Sequence, residues 1–179
     1  FSMCKRFLPF CHANNIYEIN LEFFKSLGIK YLFTDLDNTL DSYKTLSPSL
    51  QALKLIDDLK KMGITTIIIS NNRGTRVSNY AKALEVECLH STMKPFSFKI
   101  KKFLKERGIS PHEVLMVGDQ MITDVSAANG AKIKVVLVEK LVKEDQWSTH
   151  INRFIERPYR SYCNKHHKFK DWRECYGKD

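Results

Sequence analysis

Two carboxylates two residues apart, Asp35 and Asp37, follow the short apolar run Tyr31-Leu32-Phe33 within residues 30–40. At the end of a strand such a pair repels itself, and burying it without a cation would drive at least one acid towards its neutral form. A divalent metal or a nearby lysine is therefore implied. Residues that could answer that demand come later in the chain. Ser70 and Asn71 follow the β-branched run of residues 64–69, Lys94 precedes Pro95, and Asp119 and Asp124 form Gly-Asp-x-x-x-x-Asp after residues 114–117.

Carboxylates converging on one crevice make a hard oxygen site suited to Mg²⁺, which takes few protein ligands in octahedral geometry. An ion shared by Asp35, Asp119 and a phosphate oxygen would leave Lys94 and the Ser70 hydroxyl to neutralise and orient the remaining oxygens. Asp35 is then placed to attack phosphorus in line and form an aspartyl-phosphate. Asp37 can protonate the departing alkoxide and later deprotonate the hydrolytic water. Singly, each residue has a plainer reading: a turn acid, a helix cap, a solvated lysine, acids in the first turn of a helix. Their joint order, each after its own strand pattern, carries the inference.

The elements that must position these groups are legible from periodicity. Asn20 reads as a helix cap before Leu21, Phe24 and Leu27, with Gly28 as the stop. Ser47-Pro48 reads as the cap and first turn of a helix through Leu53, Ile56, Leu59 and Met62. A helix over about 75–84, a strand near 87–89 and a helix from Pro95 with apolar Phe96, Ile100, Phe103 and Leu104 follow. Ser110-x-x-Glu113 has capping-box spacing, a helix is expected over about 124–129, and residues 133–138 read as a fifth strand. This alternation predicts an α/β fold: a three-layer, doubly wound, mostly parallel sheet whose ligands bind beyond the carboxyl ends of the strands. Only residues 41–46 separate the first acids from a helix, so no substantial cap domain is expected. The expected division is a basic and aromatic arm over 1–12, a catalytic domain over 13–158 and a basic and aromatic tail over 159–179.

At 179 residues, 43% hydrophobic and 27% charged, the chain has the composition of one globular domain. No apolar run approaches the roughly 18 residues of a membrane span, and no signal-peptide core is recognisable, so a cytoplasmic protein is expected, with peripheral membrane contact open. Five scattered cysteines favour reduced thiols over disulfides. A zinc site from Cys163, His166, His167 and Cys175 is conceivable, although its spacing fits no common finger. The net charge of +9 calls for an anionic partner: a phosphorylated substrate, an acidic membrane or nucleic acid. Lysines crowd residues 94–107, where a solvated helix face competes with a membrane-facing one.

The motifs Thr-Asp-Leu-Asp-Asn-Thr-Leu, Ser-Asn-Asn, Lys-Pro and Gly-Asp-Gln-x-x-Thr-Asp resemble those of the haloacid dehalogenase (HAD) superfamily of phosphatases. Their wording is most similar to subfamily IIIA, the YqeG-like group akin to mitochondrial and plastid phosphatidylglycerophosphate phosphatases. By that resemblance Asp35 is the nucleophile and a metal ligand, and Asp37 is the acid/base whose backbone carbonyl also meets Mg²⁺. Thr39 and Asp124 are supporting residues, Asp119 is a direct metal ligand, and Ser70, Asn71 and Lys94 hold phosphate. Asp41-Ser42-Tyr43 departs from the pattern where an apolar residue is expected. A receiver domain, with an adjacent acidic pair, fits the Asp-x-Asp-x-Thr spacing poorly. The expectation is a Mg²⁺-dependent phosphomonoesterase acting on phosphatidylglycerophosphate at a membrane surface. The alternatives are a phosphatase of soluble or protein-bound phosphomonoesters, or a nucleic-acid or ribosome-associated binder on the same fold.

Overall fold

β-branched and large apolar residues at successive positions can form a strand only if both of its faces are covered. The chain meets that condition by building a sheet between two helical layers. A computed structural model describes residues 4–141 and 147–178. Its strands are β1 (Cys11–Ala13), β2 (Tyr31–Thr34), β3 (Thr65–Ile69), β4 (Glu87–Leu89), β5 (Val114–Gly118) and β6 (Lys134–Val138). They lie in the order β1-β6-β5-β2-β3-β4, and every pairing is parallel. The helices are α1 (Cys4–Phe7), α2 (Leu21–Ser26), α3 (Leu50–Lys61), α4 (Thr75–Leu84), α5 (Phe98–Arg107), α6 (Ser126–Gly130) and α7 (Trp147–Lys165). None of the described helices is long and apolar enough to cross a membrane.

Strand residues alternate between two cores, as a side-chain period of two requires. Leu32, Ile68, Leu115 and Val136 pack with Phe23, Phe24, Leu59 and Tyr80 on one face. Phe33, Ile67, Met116 and Val135 pack with Ile100, Phe103 and Ala127 on the other. Asn20 caps α2 by accepting from the Glu22 N–H, and Gly28 takes φ +65° just beyond it. The capping box of Ser110 and Glu113 is present.

Four sequence expectations are corrected. The cap of α3 is Ser49, whose side chain accepts from the Ala52 N–H, because Pro48 stands before the helix and not in its first turn. Phe96 precedes α5, which begins at Phe98, and is exposed. The predicted helix near 124–129 opens as a wider π-turn over Met121–Val125 before α6. The arm and tail are woven into the sheet. Cys11–Ala13 pairs with β6 as a sixth strand, and the far side of β1 is covered by the tail, where His12 bridges Asp171 and its N–H donates to Lys170 O at 2.7 Å. Helix α7 runs through Pro158, across the boundary expected there. Three-residue pairings are too short to register as periodicity, and an open edge strand gains by being covered.

The tail also supplies core. Trp172 is buried with its ring edge-on to Phe23 at 5.8 Å, and Cys175 lies beside it with its Sγ towards Phe10 O at 3.8 Å. Cys11, Cys88 and Cys175 are free thiols. Among the described residues the four proposed zinc ligands form no metal-sized group, and the His166 ring instead stacks against Tyr162 at 4.3 Å. Trp172→Ala is expected to cost roughly 3–5 kcal/mol of unfolding free energy, as removal of a fully packed indole does. Urea denaturation of wild type and variant checks this, and an unchanged midpoint would show the tail to be an appendage.

Candidate active site

Four of the six strands are followed by polar residues of the site, and their carboxyl ends open on one crevice. Lys94 is the hub. Its ammonium donates to Asp124 Oδ1 at 2.6 Å and to Ile69 O at 3.3 Å, and it stands 3.4 Å from Asp35 Oδ1. Burial alone would lower the Lys94 pKa. Attraction by Asp124 and Asp35 outweighs it, so the value is raised and the ammonium stays charged. Asp124 also accepts from the Gln120 N–H at 3.1 Å. It approaches β5 so closely that a Cβ at position 118 would collide with its carboxyl, which is why glycine ends that strand.

Asp35 is buried with Oδ1 accepting from the Leu36 N–H at 3.0 Å. Desolvation, partly opposed by Lys94 and assisted by repulsion from Asp124, Asp119 and Asp37, holds its pKa well above the usual carboxylate range. Asp119 is fully buried, and desolvation with repulsion from Asp124 pushes it up to about 6 against the pull of Arg153. Thr39 reaches Asp119 Oδ1 at 3.5 Å. The acids Asp35, Asp119 and Asp124 each bring one oxygen within 4.8 Å of the others. An all-carboxylate cluster of this size, with acids forced towards protonation, is a donor set that fits a hard divalent cation. Asp35 and Asp119 would be its side-chain ligands, since Asp124 is committed to Lys94.

Asp37 faces away from that cluster. Its Oδ1 meets the Arg76 guanidinium at 2.6 Å and its Oδ2 accepts from Asn72 Nδ2 at 3.1 Å. Arg76, in the first turn of α4, donates further to the carbonyls of Thr45 and Ser42, at 2.9 and 3.0 Å, and so fastens the loop after β2. Ser70 is buried, with its Oγ accepting from the Asn72 N–H at 3.1 Å. The side chain of Asn71 is spent on the loop bearing Lys94. It donates to Lys94 O at 3.0 Å and accepts from the Lys94 N–H and Thr92 Oγ1, both at 2.9 Å. Asp41 is buried, accepting from Tyr80 Oη at 2.5 Å and the Ser49 N–H at 3.0 Å. That pairing explains an acid where the motif leads one to expect an apolar residue.

The structure places Asp35, Ser70, Lys94, Asp119 and Asp124 at one edge of the sheet and adds guanidinium groups that the sequence reading does not include. Arg153 of α7 forms an ion pair with Asp119, and Arg160 donates to Asp119 O at 2.7 Å. Between them Glu156 accepts from the Ile122 N–H at 2.8 Å, its pKa pushed by burial to about 7. The spacing Arg-x-x-Glu-x-x-x-Arg was the available signal, since it puts all three on one helical face.

Two consequences are measurable. Asp35, Asp119 and Glu156 have folded-state pKa values above their unfolded ones, so the native state binds extra protons. The metal-free protein should therefore lose stability as pH rises between about 4 and about 7, the window of Asp119 and Glu156, with Asp35 acting in the same direction. Denaturant unfolding in chelator across that range reads the slope, and Mg²⁺ at a hundred times its Kd should restore about 2.7 kcal/mol at neutral pH. A flat profile would contradict the burial of these acids. Arg76→Ala should lower kcat on a soluble phosphomonoester by roughly tenfold to a hundredfold with little change in KM, because Asp37 and its loop lose their tether. Steady-state kinetics test this, and an unaltered kcat would remove Arg76 from the site.

Comparison with known proteins follows the same line. The profile of a family described as mitochondrial PGP phosphatase matches residues 1–143. Probable phosphatase YqeG of Bacillus subtilis is 29% identical over 153 residues, covering 86% of this chain and 89% of that one. Phosphatidylglycerophosphate phosphatase 1 of Arabidopsis thaliana, chloroplastic/mitochondrial, is 28% identical over 154 residues, covering 78% of this chain and 42% of that protein. Among solved structures, 3-deoxy-D-manno-octulosonate 8-phosphate phosphatase from Yersinia pestis shares the fold with a TM-score of 0.52 at 16% identity, over 72% of this chain and 83% of that one. The gathering of these acids around one lysine and the match over most of the chain lead to one conclusion: the chain belongs to the family described as mitochondrial PGP phosphatase and is a phosphomonoester hydrolase.

Proposed function

We propose that this protein hydrolyses phosphatidylglycerophosphate at the surface of a membrane, with Mg²⁺ and through an aspartyl-phosphate on Asp35. The observation that carries the reading is the buried Lys94 ammonium set between Asp124 and Asp35, beside Asp119. Such a cation, kept charged where it touches an acid, can receive a phosphoryl oxygen next to that acid. The bound metal supplies charge neutralisation, without which a phosphate dianion would be repelled by the carboxylates. Asp35, Asp119 and the Asp37 carbonyl would hold it.

Asp35 Oδ1 is engaged by the Leu36 N–H and lies beside Lys94, which leaves Oδ2 as the attacking atom. It bonds to phosphorus as the ester P–O bond breaks. Asp37, aimed by Arg76 and Asn72, gives its proton to the departing alkoxide. It then takes a proton from the water that attacks phosphorus and releases Asp35. The Ser70 hydroxyl and Lys94 hold the other phosphoryl oxygens. Asn71 contributes its backbone N–H, its side chain being occupied with Lys94.

Two observations support a lipid substrate. The loop after β2 leads directly into α3, and a single helix and strand separate Ser70 from Lys94, so no cap stands over the crevice among the described residues. A relative of like sequence bears the name of a phosphatidylglycerophosphate phosphatase.

The test is phosphate release from a panel that includes phosphatidylglycerophosphate and soluble phosphomonoesters, with and without Mg²⁺. Asp35→Asn is expected to reduce release by at least about a thousandfold, since it removes the nucleophile. Equal release by wild type and Asp35→Asn would sink the aspartyl-phosphate. Hydrolysis of soluble esters with none of the lipid would sink the substrate assignment.

A further inference from the structure

Most of the large hydrophobic side chains that this protein exposes stand at one end of it. Leu46 and Leu50, 73% and 84% exposed, follow β2. Met93 and Phe96 follow β4, and Leu141 follows β6. Phe154, 80% exposed, sits on α7 next to Arg153, whose guanidinium reaches into the crevice to Asp119. All six belong to segments that leave the carboxyl ends of the strands or border Asp119, so they form a rim around the mouth of the site. A soluble surface seldom gathers apolar groups in this way without a partner.

Cations stand on the same segments. Lys44 and Arg73 are exposed, and Lys140 is half-buried beside Leu141. The acids there, among the described residues, are turned to partners: Asp37 to Arg76, Asp41 to Tyr80 and the Ser49 N–H, and Glu139 to His12 and Arg160. Apolar side chains interleaved with cations are the chemistry of an anionic lipid interface, where the first enter the headgroup boundary and the second stay with the phosphates. A second copy of this chain is the poorer occupant. Two-fold pairing of the rim would set its cations against their own kind.

We infer that this rim is the surface by which the protein lies on an anionic phospholipid bilayer, with the bilayer closing the mouth that no cap domain covers. The inference rests on the reading of the substrate as a membrane phosphomonoester, and it adds the orientation. The carboxyl edge of the sheet faces the lipid, β1 and the tail lie at the flank, and a headgroup enters without leaving its leaflet.

The test is co-sedimentation of the full chain, without substrate, with vesicles of equimolar phosphatidylglycerol and phosphatidylcholine or of phosphatidylcholine alone. Wild type should bind the anionic vesicles at least about tenfold more tightly than the neutral ones. Leu46→Glu/Phe154→Glu should lose about tenfold or more of that binding. Lys132→Glu, in the turn at the amino end of β6, makes the same change in net charge as the double variant yet should stay within about threefold of wild type. Circular dichroism melts confirm that the variants are folded. Equal binding by wild type and the double variant would overturn the inference, as would no binding by wild type. It would also be overturned if the double variant dissociated an oligomer in gel filtration while keeping vesicle affinity. Phosphate release from phosphatidylglycerophosphate in nonionic detergent micelles is measured alongside. Its absence would overturn the substrate reading, whereas the vesicle result decides the orientation.

Discussion

The contact on which the site depends is the buried ion pair between Lys94 and Asp124. An ammonium and a carboxylate removed from water each carry a desolvation cost of several kcal/mol, recovered only when geometry and further hydrogen bonds are good. Here Asp124 also takes the Gln120 N–H, and Lys94 also takes Ile69 O. That commitment fixes the ammonium 3.4 Å from Asp35. The demands of the pair extend into the scaffold. Glycine must end β5, the turn after it widens into a π-helix, and the loop carrying Lys94 is stapled by Asn71.

Electrostatic frustration in the crevice is local and organised. Asp35, Asp119 and Asp124 share one small volume, while Asp37 is drawn aside by Arg76. The two acids of the Asp-x-Asp motif therefore occupy unlike environments. One is buried among other carboxylates and held towards protonation; the other is half-open and paired with a guanidinium. With no metal bound these surroundings favour the neutral form of Asp35, so under the proposed mechanism a divalent cation beside Asp35 would be what ionises it. Arg153 and Arg160 add a second layer. They anchor α7 against Asp119 and so connect the chemistry to the helix that borders the mouth.

The openness of that mouth has a physical cost, because water entering the crevice weakens every charge interaction in it. With no cap over it among the described residues, the site would gain from a surface that closes it from outside, as the proposed lipid contact would. The concentration of apolar side chains on the carboxyl edge, with cations among them, puts the means of closure where it is needed.

Much of this was legible from residue types alone. Continuous apolar and β-branched runs disclosed β2, β3, β5 and β6. Asn20, Gly28 and the Ser110–Glu113 box marked helix ends. Asp35, Asp37, Ser70, Asp119 and Asp124 could be picked out because they follow β2, β3 and β5, and Lys94 because it follows β4, since the edge of a parallel sheet is lined by what comes next in the chain. Other features arose only in three dimensions. Arg76 and Arg153 reach the acids from helices 39 and 34 residues distant in sequence, and such pairings leave no local pattern. The sixth strand is three residues long and exists because β6 and the tail lie on either side of it. Asn71 and Asp41 look like a phosphate ligand and a misplaced acid until their hydrogen bonds are seen. Local periodicity determined the strands and the order of the reactive groups. Tertiary packing decided which charge meets which, since Coulomb and desolvation energies depend on distance and burial in space and not on separation along the chain.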